Sequence, residues 1–477
     1  MKKFKTFVDN ILVYGLGSVI GRIIPFIMLP IITRMMPDSS YYGLNDLSVT
    51  LTSVGQAIAV FGMYDAMFRL FFDKDDIEYQ KEICSTALSI TLVTSVVVFS
   101  LIFIFDQEIA NIVFKDSRYV YLVQLSAFSV LVGSTNNIVA APTKIQNESK
   151  IYILVNTLSP VIAYAIAIPL LLKKYYSSAL QLSNFLALIM IEIYFFYRNR
   201  KWFSFHDINW SYIKPLLKLG VPLMPSFLIY WIYNSADRLM VQYFLGTQSV
   251  GLYAIGSKMG QISNLICVAF TGGWLYFSYS TMKEEKQVEN NSLIFEYMGL
   301  ISFAASIVMC TLSYLIYKIF FTEEYFLGYK VAPYLFLAPL LQVLFQIAGN
   351  QFIIMKKSFP SVLILLSGAI ANICFNCFLI PQLGIEGAAI GTLVGYVFAD
   401  VICLIVLVKI KKFIISRRFL IVSVITFLYF IVWAKFLHCR VVWGIIISIL
   451  VLIYFMYLFR QDIKYCVLMF NSRFMKK

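Results

Sequence analysis

The stretch ADRLMVQYFLGTQSVGLYAIGSKMG, residues 236–260, sets Asp237 and Arg238 side by side at the head of a largely apolar segment. In water such a pair costs little. In hydrocarbon a charge near the middle of a helix costs at least about 2.5–3.5 kcal/mol, so the surrounding solvent decides what the pair means. Apolar runs of about 20 residues recur on both sides of the stretch, each long enough to cross a hydrocarbon core of about 30 Å. Only 13% of the 477 residues are charged, against roughly 25% in a soluble chain. The chain therefore reads as an all-α polytopic membrane protein.

Fourteen spans are expected, near residues 11–33, 43–70, 83–105, 119–140, 151–172, 178–198, 213–237, 248–278, 293–317, 331–355, 361–380, 385–409, 419–436 and 441–460. An even number puts both termini on one side. The loops of that side are the richer in Lys and Arg, among them Lys2, Lys3, Lys5, Arg198, Arg200, Lys201, Lys356, Lys357, Lys411 and Lys412. That bias places both ends in the cytoplasm. The net charge of +14 is spread over these loops instead of forming a patch, which argues against nucleic acid as a partner. The basic, apolar N-terminus runs to Arg34 without the short core and small-residue cleavage site of a signal peptide, and is expected to remain as the first span. No loop exceeds about 15 residues, so function is expected within the membrane. Cys374 and Cys377 sit in a membrane helix without His or carboxylate neighbours, and His206 and His438 are the only histidines. No metal, cofactor or catalytic residue is expected, and an enzyme is the least favoured class.

The chain also repeats. ITRMMP at 32–37 matches ADRLMV at 236–241, aligning Arg34 with Arg238, and YGLND at 42–46 matches VGLYA at 250–254, aligning Gly43 with Gly251. Asn137 and Lys144 return as Asn350 and Lys357, and Glu192 as Asp400, all at offsets of 204 to 213 and in order. Two six-helix halves follow: a lobe at 1–200, a cytoplasmic linker at 201–212, and a second lobe at 213–410, with 411–477 holding the two added helices 13 and 14 and a tail. Six is even, so the repeats are parallel, a transporter architecture with the substrate site between the halves.

Residues 236–260 carry an Asp-Arg pair, an apolar turn, Leu-Gly, a short spacer and Val-Gly-Leu-Tyr. In this they resemble the signature of the Wzx-type O-antigen and capsule repeat-unit flippases, of the superfamily that includes MATE drug antiporters and the lipid II flippase. LGSVIGRIIPFIMLPIITRMMP (16–37) resembles the opening helix of that family and LIPQLGIEGAAIGTLVGY (379–396) its twelfth span. The resemblance implies two V-shaped lobes, a central cavity, and alternating access that carries a polyprenyl-diphosphate-linked oligosaccharide to the outer leaflet of a bacterial cytoplasmic membrane. Membrane lipid, a polysaccharide polymerase and chain-length machinery are the implied partners. Many relatives have twelve spans, so helices 13 and 14 are a departure. A MATE-like drug or cation antiporter is the alternative; it needs a cavity carboxylate, whereas the mid-membrane candidates here are cations.

Arg22, mid-way along the first span, suits bidentate binding of a diphosphate, or else a buried ion pair. Lys258 would be a second cavity cation; Thr50 stands at its aligned position. Asn137, Asn350 and Gln351 suit sugar hydroxyls or helix–helix contacts equally. Asp237 and Arg238, with Arg34 at the aligned site, read as a clamp closing an outer gate. Asp65 and Arg69, spaced i, i+4, can pair on one helix face near the inner end of span 2. Glu192 and Asp400 are intramembrane carboxylates able to couple an ion, unless Arg198 and Lys409 neutralise them. Gly387, Gly391 and Gly395 recur every four residues, as a packing stripe does.

Overall fold

The structure, a computed structural model, describes residues 23–146, 148–357, 359–462 and 464. It is helical, with no strand among the described residues. The helices are α1 (Ile23–Met35), α2 (Ser39–Val60), α3 (Met63–Phe71), α4 (Ile77–Ile104), α5 (Asp106–Val113), α6 (Val120–Val139), α7 (Ala141–Ile145), α8 (Ser149–Leu172), α9 (Ala179–Asn199), α10 (Ile213–Gly220) and α11 (Met224–Trp231). There follow α12 (Asp237–Leu245), α13 (Thr247–Gly260), α14 (Asn264–Ser280), α15 (Gln287–Phe320), α16 (Glu323–Phe326), α17 (Ala332–Ile354), α18 (Phe359–Leu383), α19 (Ile385–Lys409), α20 (Arg417–Val432) and α21 (Val441–Leu458). Among the described residues, 11 helical stretches are long and apolar enough to cross a membrane, or 12 when α2 and α3 count as one bent span. α1 is the described part of the first expected span, and α13 with α14, interrupted at Gln261–Ser263, occupies the eighth. Arg22 lies outside the described residues.

Asp38 caps α2 by accepting from the Ser40 amide at 2.7 Å, and Asp76 caps α4 by accepting from the Glu78 amide at 3.1 Å. The expected single span at 43–70 is bent by 43° where Phe61 and Gly62 both take left-handed conformations. Such a step breaks the ladder of helical hydrogen bonds. Beyond it, α3 lies so close to α10 that a Cβ on Gly62 would collide with the Gly220 carbonyl.

The chain forms two compact units. One holds the described chain up to Ile255 together with Ala369–Thr392; the other holds Gly256–Gly368 and the described chain from Leu393 onward. The first contains the crossing of α2 and α13. A Cβ on Gly43 would collide with the Thr247 carbonyl, and a Cβ on Gly251 with the Ser39 carbonyl. These contacts are reciprocal under the repeat, since 39 + 208 = 247 and 43 + 208 = 251. Small residues permit this approach of two backbones in a membrane.

In the second unit α15 carries the added helices α20 and α21. Arg418 ion-pairs with Glu296 at 3.1 Å and, by a shorter contact, with Asp462 at 2.5 Å. The Phe419 ring fills the space above Gly299, and the hydroxyls of Thr311 and Tyr429 lie 2.9 Å apart.

Candidate functional site

The seventh span loosens just ahead of the Asp-Arg pair. Ile232–Ala236 forms a π-helical turn, a device frequent at functional sites. It leaves the Asn234 carbonyl open to the Arg238 guanidinium. Arg238 Nε donates to Asp46 Oδ2 at 2.6 Å, and Nη1 lies 3.1 Å from Asp237 Oδ1. Asp237 also accepts from the Arg238 amide at 2.9 Å, from the Tyr253 hydroxyl, and from Thr392 Oγ1 at 3.4 Å. Asp46, Asp237 and Arg238 are 3%, 2% and 6% exposed. Two buried carboxylates thus face one guanidinium, and every hydrogen-bonding partner around Asp237 donates to it. Removing the guanidinium would strand both buried carboxylates, whereas removing one carboxylate would leave an ion pair.

Sequence reasoning singled out Asp237 and Arg238 but missed Asp46, Tyr253 and Thr392. Asp46 was visible as a carboxylate inside an apolar run; its distance along the chain hid the pairing. Arg34, the repeat equivalent of Arg238, is exposed at the end of α1.

The Asp65–Arg69 pairing requires correction. Arg69 pairs with Asp73, four residues on instead of four back, and Asp65 is exposed. Arg69 stands in the last turn of α3, so the chain leaving the helix brings Asp73 to it. Asp65 lines a cavity of about 520 Å³ with Tyr64, Phe68, Arg69 and Phe72.

Glu192, half-buried, accepts from Asn136 Nδ2 at 2.8 Å, while Arg198 turns to Glu148 at 2.7 Å. Arg198 is therefore not its neutralising partner. Both carboxylate oxygens of Asp400 are buried without a hydrogen-bond partner. Asn350 and Gln351 are buried in helix–helix contacts, donating to Ser278 Oγ and accepting from Gln287 Nε2 at 3.2 Å respectively. Asn137 is exposed, its amide turned to the Gly133 carbonyl of its own helix at 2.9 Å. Lys258 is exposed on α13. A Cβ on Gly387 or Gly391 would collide with Leu379 or Asn376, so these two glycines seat α19 against α18.

Many apolar spans, with a charge cluster buried among them and a glycine crossing that obeys the repeat, define a multi-pass helical membrane protein. The fold is shared with the lipid II flippase MurJ in an inward closed conformation, at a TM-score of 0.67 and 15% identity, over 95% of this chain and 99% of that one. It is shared also with a Vibrio cholerae MATE transporter, at a TM-score of 0.60 and 13% identity, over 86% and 98%. The solved structures with this fold are a lipid II flippase and a MATE transporter. Residues 7–276 match the family described as polysaccharide biosynthesis protein, and the chain belongs to that family. It is similar to an Lsg locus protein of Haemophilus influenzae, 21% identical over 293 residues, 60% of this chain and 68% of that one. A membrane protein of Methanocaldococcus jannaschii is 28% identical over 189 residues, 39% of this chain and 37% of that one.

Proposed function

We propose that the protein is a flippase carrying a polyprenyl-diphosphate-linked oligosaccharide repeat unit from the cytoplasmic to the outer leaflet of a bacterial cytoplasmic membrane, for O-antigen, capsule or exopolysaccharide synthesis. Membership of the polysaccharide biosynthesis family carries this reading, and the fold shared with a lipid flippase supports it. In this scheme the lobes at 1–200 and 213–410 alternate access, with both termini cytoplasmic. Arg22 and Lys258 receive the diphosphate, and the lipid tail stays in the bilayer. The buried Arg238, Asp46 and Asp237 group acts as the gate clamp. A cytoplasm-negative potential assists outward movement of the diphosphate: at about 2.3 kcal/mol per charge per 100 mV, two charges gain roughly 5 kcal/mol.

The test uses cells that build the repeat unit but lack this protein. Lipid extracts are assayed for the diphosphate-linked oligosaccharide, and intact cells for its labelling at the outer face. The expected result is inner-leaflet accumulation that wild type relieves and Arg22→Ala does not. Normal export without the protein, in cells with no second flippase, defeats the proposal.

A drug or cation antiporter is the second reading. The unpartnered buried carboxylate of Asp400 favours it, since a membrane carboxylate of this kind can carry a proton. Cation efflux lost in Asp400→Asn, with glycan export intact, would select it.

A further inference from the structure

Between α9 and α11 the chain makes short helical turns at Arg200–Trp202, Phe205–Asp207 and Trp210–Tyr212 before entering α10. Asn209 fixes the last of these by accepting from the Ser211 amide at 3.1 Å and its hydroxyl at 2.6 Å. α10 is two-faced. Leu216 is fully buried and Gly220 meets α3, whereas Lys214 and Lys218, four residues apart, are exposed on the other side. With Trp210, Ile213 and Leu217 these lysines line a shallow, open cavity of about 560 Å³.

Neither ammonium has a hydrogen-bond or ion-pair partner among the described residues, and no acidic side chain lines the cavity. Glu82, on the adjoining α4, is engaged by Asn209 Nδ2 at 3.2 Å. Trp210 stands 80% exposed at the rim, and an indole so placed favours the headgroup level of a bilayer. The open cavity therefore offers two cations one helical turn apart, two aliphatic side chains on the same helix and an interfacial ring. It offers no amide, hydroxyl or carboxylate for a sugar.

We infer that this cavity seats an anionic phospholipid of the bilayer, its phosphate between Lys214 and Lys218 and its chains along Ile213 and Leu217. The site is distinct from the residues assigned above to the transported lipid. A lipid held there fixes α10, and through the Gly62–Gly220 contact steadies the lower half of the bent span.

The purified protein in nanodiscs containing phosphatidylglycerol and phosphatidylcholine is released into native mass spectrometry, and the ratio of the two lipids retained is read. An attraction of about 1 kcal/mol per lysine near a charged surface corresponds to roughly 5-fold per residue. Wild type is expected to retain phosphatidylglycerol preferentially, and the joint variant Lys214→Gln, Lys218→Gln to lose about 25-fold of that preference. Lys214→Arg with Lys218→Arg keeps the charge and is expected to keep the preference, which separates lipid loss from misfolding. Lys411→Gln with Lys412→Gln, at another loop, is expected to leave it unchanged. An unaltered ratio in the glutamine variant overturns the inference, as does an equal loss in the 411/412 control. Displacement of phosphatidylglycerol by added polyprenyl diphosphate at equal concentration would assign the cavity to the transported lipid and also overturn it.

Discussion

The end of α1 and the head of α12 carry the same repeated motif, Arg34 with Met36 in one and Arg238 with Met240 in the other. Arg238 is buried between two carboxylates and Arg34 is exposed. The sequence at matched positions explains the contrast. Asp237 corresponds to Thr33, since 237 − 204 = 33, and Asp46 corresponds to Ala254, since 46 + 208 = 254. The positions equivalent to the two acids around Arg238 thus hold Thr33 and Ala254. The glycines behave oppositely: Gly43 and Gly251 make the same contact in mirrored roles. The repeat preserves the close approach of two backbones and lets the charges diverge: Arg238 is locked in an ion cluster built from both halves, and Arg34 is exposed.

Substitutions at these positions test how far the two halves differ. Arg238→Leu leaves Asp46 and Asp237 buried without a cation and is expected to cost about 3–5 kcal/mol, read as a large fall in the thermal unfolding midpoint in detergent. Gly43→Ala and Gly251→Ala each push a methyl group into a carbonyl on the opposite helix. Each is expected to cost about 1–3 kcal/mol, and the two costs should agree. A large difference in the same melting assay would mean that the crossing is not energetically symmetric. Arg34→Leu is expected to shift stability by no more than about 0.5 kcal/mol. Should Arg34→Leu melt as low as Arg238→Leu, the contrast between the halves is lost.

Hydropathy made most of the spans legible, because length and apolar content alone decide whether a helix can cross a membrane. It did not show the bend at Phe61–Gly62, since a left-handed step changes direction without changing composition. Nor did it show the interruption at Gln261–Ser263 within the eighth span. Local charge pairing was ambiguous for a stated reason: Arg69 has an aspartate four residues away in each direction, and the helix end selected Asp73. The cluster around Arg238 was half legible. The cost of charge in hydrocarbon marked Asp237 and Arg238 as paired with something, but Asp46 is 192 positions away and only the folded chain brings it in. The amides show the reverse problem, because their composition suits a sugar site and a helix joint equally, and the fold placed Asn350 and Gln351 in a joint.

Helices 13 and 14 looked like an appendix to a twelve-span body. Arg418 gives them a different standing. Glu296 is 6% exposed on α15, and the cation beside it arrives from α20. A chain shortened after residue 410 would inherit a stranded acid on α15 and would bare the face of Gly299 that Phe419 covers. Helices 13 and 14 are therefore part of what keeps α15 neutral and covered in this protein.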